Sequence, residues 1–396
     1  MEHASPTQSH HIGFSPVAGL ILLVGWALYL LLSPIYVFKS GLPQPADILL
    51  FIISGLGIVL FVMTNRIVFN RVFVGLFATV GLFFATNITY FFWYKDFGFL
   101  LSSAYYIYNA MAFGLTILVF REYQEKAVSA ARLIISITLI FQVLYLILID
   151  NLDALRNVGT FNNPNQLGYW TLLSASYILL LCHGRRMQWF DIIGFLCAAF
   201  IVNETLSRAV AAAFALLTVL FIIRPYISII AKILIGFIIC ATVLIQLAIF
   251  QNPIPIETKF TNLDRLAQRF IEKKTEDDNV AGRGYDRIIN HPEYLILGAG
   301  EGAHHRFGSP LEIHSGLGAI LFSYGIMGFT IFGLFILTIY QRAHWALWII
   351  LFAVMGYGLT HQHVRFTGFW LLMGMTYAMT RYVIPRRAQA FSRPLR

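Results

Sequence analysis

At 396 residues with 58% hydrophobic and only 12% charged side chains, the chain is far more apolar than a soluble globular protein, whose apolar share is about 45–50% and charged share about 25%. A formal net charge of +9 raises nucleic acid as a partner, but the basic residues scatter over loops and the C-terminus and line no single helix or patch, which argues against it. The composition predicts an all-α polytopic membrane protein, a single membrane domain over residues 1–396.

The N-terminal MEHASPTQSHHIGFSP has no basic region ahead of the first apolar run, so that run is expected to be a retained span and not a cleaved signal. A spanning helix needs about 20 mostly apolar residues. Such runs lie near 15–38, 47–63, 72–92, 98–120, 131–150, 166–183, 189–205, 209–224, 229–250, 314–340, 344–360 and 366–384, which gives about twelve transmembrane helices. Cys182, Cys197 and Cys240 each fall inside an apolar run, a pattern of packing residues and not of a disulfide framework or thiolate metal site.

Orientation follows from the Lys and Arg of the connecting segments. With both termini cytoplasmic, the inside segments carry fifteen such residues, from Arg66 to Arg396, and the short outside loops carry five: Lys39, Lys95, Arg156, Arg208 and Arg365. That bias puts the one large loop, residues 251–313 between the ninth and tenth spans, on the periplasmic side of a bacterial inner membrane. Inside that loop Leu263, Leu266, Ala267, Phe270 and Ile271 have the spacing of an amphipathic helix. The acidic run 273–279 is expected to be a solvated turn, and a second short helix is expected over Gly284–Asn290 with Pro292 as its stop.

Chemistry-bearing residues gather at the outward ends of the spans. The seventh and eighth apolar cores are short, so their shared turn, Asn203 to Arg208, is expected near the outer lipid boundary, where an ionisable residue points to function. There Glu204 either contributes to a site or forms an i, i+4 pair with Arg208. Three other outward segments carry Asn, Arg or His at the mouth of a span: residues 159–166, residues 282–284, and Glu312 to Ser315. Arginines and amides opening onto lipid suit an anionic headgroup, because guanidinium pairs phosphate oxygens and stays charged. His314 opens a long apolar span and is a side chain able to take a proton near neutrality. The run Gly298-Ala299-Gly300-Glu301-Gly302 lacks the Lys-Ser/Thr ending of a P-loop, and tight packing is its expected role. His304 and His305 lack the i, i+4 spacing of a helical metal pair, so no metal is expected. For His361 and His363, with Arg365, solvation or support of neighbouring groups is expected.

The motifs GTFNNPNQLGYW, LSRAVAAAFALL, AGRGYDRIINHPEYLILGAGEG and EIHSGLGAILFSYGIMGF, in that order, resemble the bacterial O-antigen ligase and O-antigen polymerase superfamily over roughly residues 155–330. The resemblance implies an inner-membrane glycosyltransferase that takes glycan from an undecaprenyl-diphosphate donor at the periplasmic face, with no cofactor and no metal. Carried onto this sequence, it implies Arg208, Arg283 and His314 as the catalytic group. Asn163, Asn165, Ser207 and Glu204, with Arg287 and Arg306 of the loop, would contact or position substrate. Where an aromatic often follows the loop arginine in the superfamily, this chain has Tyr285 and Ile288.

Partners implied are the lipid-linked donor, an acceptor glycan or lipid A-core, and a chain-length regulator. The phrasing GRGYD, GAGEG, EIHS is slightly closer to polymerases of O-antigen, capsule or exopolysaccharide than to ligases. From another class, a transporter or flippase would need ionisable residues along a path through the bilayer midplane. A scaffold within a polysaccharide assembly complex would tolerate substitution of the arginines and histidine.

Overall fold

The computed structural model describes residues 15–39, 41–63, 70–150, 156–224, 283–308 and 312–385. They form α1 (Pro16–Leu32), α2 (Pro45–Met63), α3 (Arg71–Tyr94), α4 (Gly98–Tyr123), α5 (Glu125–Leu148), α6 (Pro164–Leu181), α7 (Trp189–Thr205), α8 (Arg208–Ile223), α9 (Asp286–Asn290), α10 (Gly316–Tyr340), α11 (Trp345–Gly358) and α12 (Thr367–Ala378). Short 3-10 turns cover Pro292–Tyr294 and His304–Phe307, and a π turn extends α12 over Met379–Val383. No strand occurs among the described residues. The eleven longer helices fall on eleven of the expected apolar runs. The run at 229–250, the amphipathic pattern at 263–271 and the acidic stretch at 273–279 lie outside the described residues.

The chain is a helical, multi-pass membrane protein: α2, α3, α4, α5 and α10 are each long and apolar enough to cross a membrane, and α1, α8 and α11 are shorter apolar helices. In α6 every residue from Leu167 to Leu181 is buried, so this helix is apolar all round and forms the centre of the bundle. Helices α5, α7, α8, α11 and α12 pack around it, α12 also packs on α4, and α10 packs on α3. On α2 and α3, Phe51, Ile52, Val62, Val74, Phe77 and Phe84 are exposed, the flank a bilayer would cover.

Helix boundaries explain where the polar motifs sit. Asn163 caps α6 by accepting from the backbone N–H of Asn165 (2.8 Å) and Gln166 (3.3 Å), with Pro164 at the first helical position. Leu206 adopts a left-handed backbone (φ 47) between α7 and α8, so Glu204 and Arg208 do not share one continuous helix. The i, i+4 pairing considered for them therefore lacks its helical geometry. Ser315 caps α10 by accepting from the Gly318 N–H at 3.0 Å, which leaves His314 outside the helix and not its first residue. The short helix expected from Gly284 starts later, at Asp286, because Gly284 has φ +73.

Helix α10 is broken at Gly325, where φ is 65 and ψ −175. The freed groups are satisfied by the segment in front of it: Ala299 and Gly300 donate to the Phe322 and Ser323 carbonyls (2.9 and 2.8 Å), and Ile326 donates to the Leu295 carbonyl (2.7 Å). A Cβ on Gly298 would lie 2.2 Å from the Ser323 carbonyl oxygen. The glycine run thus brings its backbone flush against the opened helix.

At the far end of the bundle, Arg132 of α5 meets Asp191 of α7 with both side chains buried, Nε to Oδ1 3.0 Å. Asp191 also accepts from the Gln188 N–H (2.7 Å), capping α7. Arg224 donates to the Leu179 carbonyl, and Arg185 pairs with Glu125.

Candidate functional site

The polar segments converge at the end of the bundle where α6, α8, α10 and α12 begin. Ahead of α6, Arg156 donates to the Thr205 carbonyl (Nε, 3.0 Å) and to Asn165 Oδ1 (Nη2, 2.8 Å). Asn157 donates through its amide to Glu204 Oε2 (2.8 Å) and through its N–H to the Glu204 carbonyl (3.2 Å). The Asn165 and Glu204 motifs are therefore laced into one unit, with Glu204 and Ser207 buried. Arg208, partly buried, is the first residue of α8. A cation at a helix N-terminus is opposed by the macrodipole, but together with that terminus it forms a place where an anion is doubly favoured.

A stack of rings links this unit to its neighbour. Tyr357 donates to the Asn165 carbonyl (3.3 Å) and lies between Tyr169 (ring centroids 4.4 Å, 7° apart) and His361 (4.8 Å, 11°). One residue earlier, the Thr360 carbonyl accepts from Arg283 Nη1 at 2.7 Å. Arg283 is in turn tied to His314, whose backbone N–H donates to the Arg283 carbonyl at 2.9 Å. The Gly316 N–H to His361 carbonyl bond (3.0 Å), Ser315 to the Gly358 carbonyl (3.1 Å) and Gln362 to the Ile313 carbonyl (2.9 Å) close the knot. Tyr285 donates to the Leu359 carbonyl, and its ring lies over Gly318. His314 is exposed, with Nδ1 3.0 Å from the Glu312 carbonyl oxygen.

Behind His314 is a buried charge cluster. Arg365 reaches Glu301 (Nε to Oε1, 2.8 Å) and Glu312 (Nη1 to Oε2, 2.5 Å). Glu301, 2% exposed, also accepts from the Tyr324 hydroxyl (2.7 Å), and its N–H donates to Asn87 Oδ1 (2.8 Å). Arg287, His304 and Gln362 join the two glutamates in lining a small recess there. Burial, and then the nearby Arg365 cation, push the His304 imidazole down to about 4. His363, in the α11–α12 turn, is wholly enclosed against Gly316, Gly358 and Phe369, and burial brings it to about 3.

The structure thus brings Arg283 and His314 together, and places Asn165, Glu204, Ser207 and Arg208 in the adjoining unit. Asn163 is occupied as a helix cap. Arg287 is buried at the recess, where burial lowers its guanidinium below its ordinary value. Arg306 stands apart, enclosed by Tyr90, Tyr94, Phe99, Tyr294 and Phe307 at 4.5–5.7 Å and donating to the Ala299 carbonyl. Sequence reasoning did not single out Tyr357, Glu301 or Arg365 for this site. The available signal was weak: a lone carboxylate inside a glycine run, and a lone arginine in a short outward turn. Among the described residues no three His, Cys, Asp or Glu side chains gather as metal ligands. No family model matches the chain, and no curated protein matches it in sequence.

Proposed function

We propose that the chain is a membrane glycosyltransferase that moves glycan from an undecaprenyl-diphosphate donor to an acceptor hydroxyl at the end of the bundle where Arg283 and His314 meet, on the periplasmic face of a bacterial inner membrane. The observation that carries the reading is the direct backbone bond between residue 314 and residue 283. It joins the backbone that carries the exposed His314 to the backbone that carries Arg283 at the mouth of α10, with Arg208 and the α8 N-terminus on the same end of the bundle. The motif resemblance suggests the reaction class, and the nearness of these motif residues supports it.

In this reading Arg208 and Arg283 hold the diphosphate and stabilise the charge that grows on it as the bond from sugar C1 to oxygen breaks. His314 takes the acceptor hydroxyl proton as that oxygen attacks C1 from the opposite side, which inverts the anomeric centre. The electron pair of the broken bond leaves with the undecaprenyl diphosphate. Asn165 and Glu204 position the turns that present the arginines. Polymerisation of lipid-linked repeats is favoured over ligation to lipid A-core, on the phrasing of the loop motifs.

The test is the banding of surface polysaccharide and of lipid-linked glycan from a deletion strain carrying wild type or His314→Ala. Core with a single repeat and no ladder in the variant supports polymerase. Bare core with long glycan stranded on the lipid carrier assigns ligase. A wild-type pattern from His314→Ala removes the base assignment, and a pattern unchanged by the deletion itself turns the reading to capsule, exopolysaccharide or transport.

A further inference from the structure

Resting on the assignment of His314 as base, we propose that Arg365 and Glu312 are its positioning residues: Arg365 holds the Glu312 side chain against Glu301, which fixes the Glu312 carbonyl on the imidazole Nδ1 and leaves Nε2 for the acceptor hydroxyl. A carbonyl oxygen only accepts, so the 3.0 Å contact from His314 Nδ1 to the Glu312 oxygen puts the ring hydrogen on Nδ1. The lone pair of the neutral ring is then on Nε2, a tautomer set by the bond at the other nitrogen.

Glu312 lies between the turn ending at Phe307 and α10, in no regular element, so helix or sheet bonding does not hold its carbonyl. Its side chain does so through Arg365 at 2.5 Å. Arg365 is anchored deep in the bundle: Glu301 accepts from its Nε, Ser102 of α4 accepts from Nη2 at 3.4 Å, and Asn109 of α4 donates to its main-chain carbonyl at 3.1 Å. Glu301 is tied in turn to Tyr324 of α10 and Asn87 of α3. A continuous set of polar contacts therefore runs from α3 and α4 to the residue two places before His314.

The test measures transfer rate against donor concentration in membranes of the deletion strain, which supply acceptor. Wild type, Arg365→Gln, Arg365→Lys, Glu312→Gln and His314→Ala are compared at matched abundance. Arg365→Gln and Glu312→Gln should lose about 10- to 100-fold in rate at saturating donor, with the donor KM little changed. Arg365→Lys, keeping the charge, should retain more activity than Arg365→Gln. If His314→Ala is inactive while Arg365→Gln and Glu312→Gln match wild type, the positioning proposal is overturned and the base assignment stands. Losses in which Arg365→Lys does no better than Arg365→Gln and the donor KM rises as the rate falls overturn it as well, since Arg365 then only holds the fold. Full activity of His314→Ala removes the base assignment and this inference with it.

Discussion

Each end of the bundle has an arginine held by carboxylate, but the two are used differently. Arg132 and Asp191 join α5 to α7, two helices already packed along their length, and both side chains are buried. Arg365 instead joins two loops, bridging Glu301 and Glu312 while remaining partly open. The first is a strut between elements whose positions are already set by apolar packing. The second reaches Glu312, two residues before His314, and adds a side-chain tie to a stretch whose residues 313–316 are held by hydrogen bonds to Arg283, Gln362, His361 and Gly358. On the proposed reading, the ion pair between helices serves stability, and the partly open one between loops serves the site that carries His314.

The largest effect expected on this contrast is at the strut. Arg132→Ala leaves Asp191 charged, buried and unmatched, at a cost of about 3–5 kcal/mol. Protein abundance and thermal midpoint in detergent should fall, while activity per surviving molecule stays near wild type; a specific loss of transfer with normal abundance would erase the distinction between the two ends. Arg283→Ala should do the reverse. It should lower transfer about 10²- to 10³-fold, as loss of one stabilising donor does, with the protein still folded in the membrane.

A smaller structural effect comes from Gly298→Ala. Its φ is +88, and the new Cβ would meet the Ser323 carbonyl oxygen at 2.2 Å, so strain of about 1–3 kcal/mol is expected. The melting midpoint should drop, whereas Gly333→Ala on α10, with nothing within 4 Å of the added carbon, should leave it unchanged. A pH effect at the site end completes the contrast. His304 and His363 have folded values of about 4 and about 3, below the unfolded value of about 6.5. Their contribution is therefore complete above about 6.5 and is lost as pH falls toward the folded values, because the unfolded chain binds more protons in that window. Melting followed from pH 7 to pH 4 should show a falling midpoint, with a shallower fall in His304→Gln.

The helices were legible because spanning runs are written continuously: α3, α4, α7 and α10 coincide with their apolar stretches to within a few residues. Their ends were less so, because caps and turns depend on single residues; Ser315 moved the start of α10 past His314, and Gly284 delayed α9 to Asp286. The meeting of Arg283 with His314 could be placed on one face from topology and motif order, but not as a direct bond. Glu301 and Arg365 were out of reach for a physical reason. They lie 64 residues apart in sequence, and their pairing depends on a break in α10 at Gly325 that lets residues 295–300 pack against the opened helix. Neither hydrophobic period nor local charge spacing encodes that approach.

The most direct measurement is the rate of glycan transfer by His314→Ala in membranes that hold it at wild-type abundance, with donor saturating. A fall of about 10²-fold or more, with donor binding retained, is the predicted result. A rate equal to wild type would contradict the account at its centre, leaving the α10 mouth a structural feature and the chemistry of the chain to be sought elsewhere.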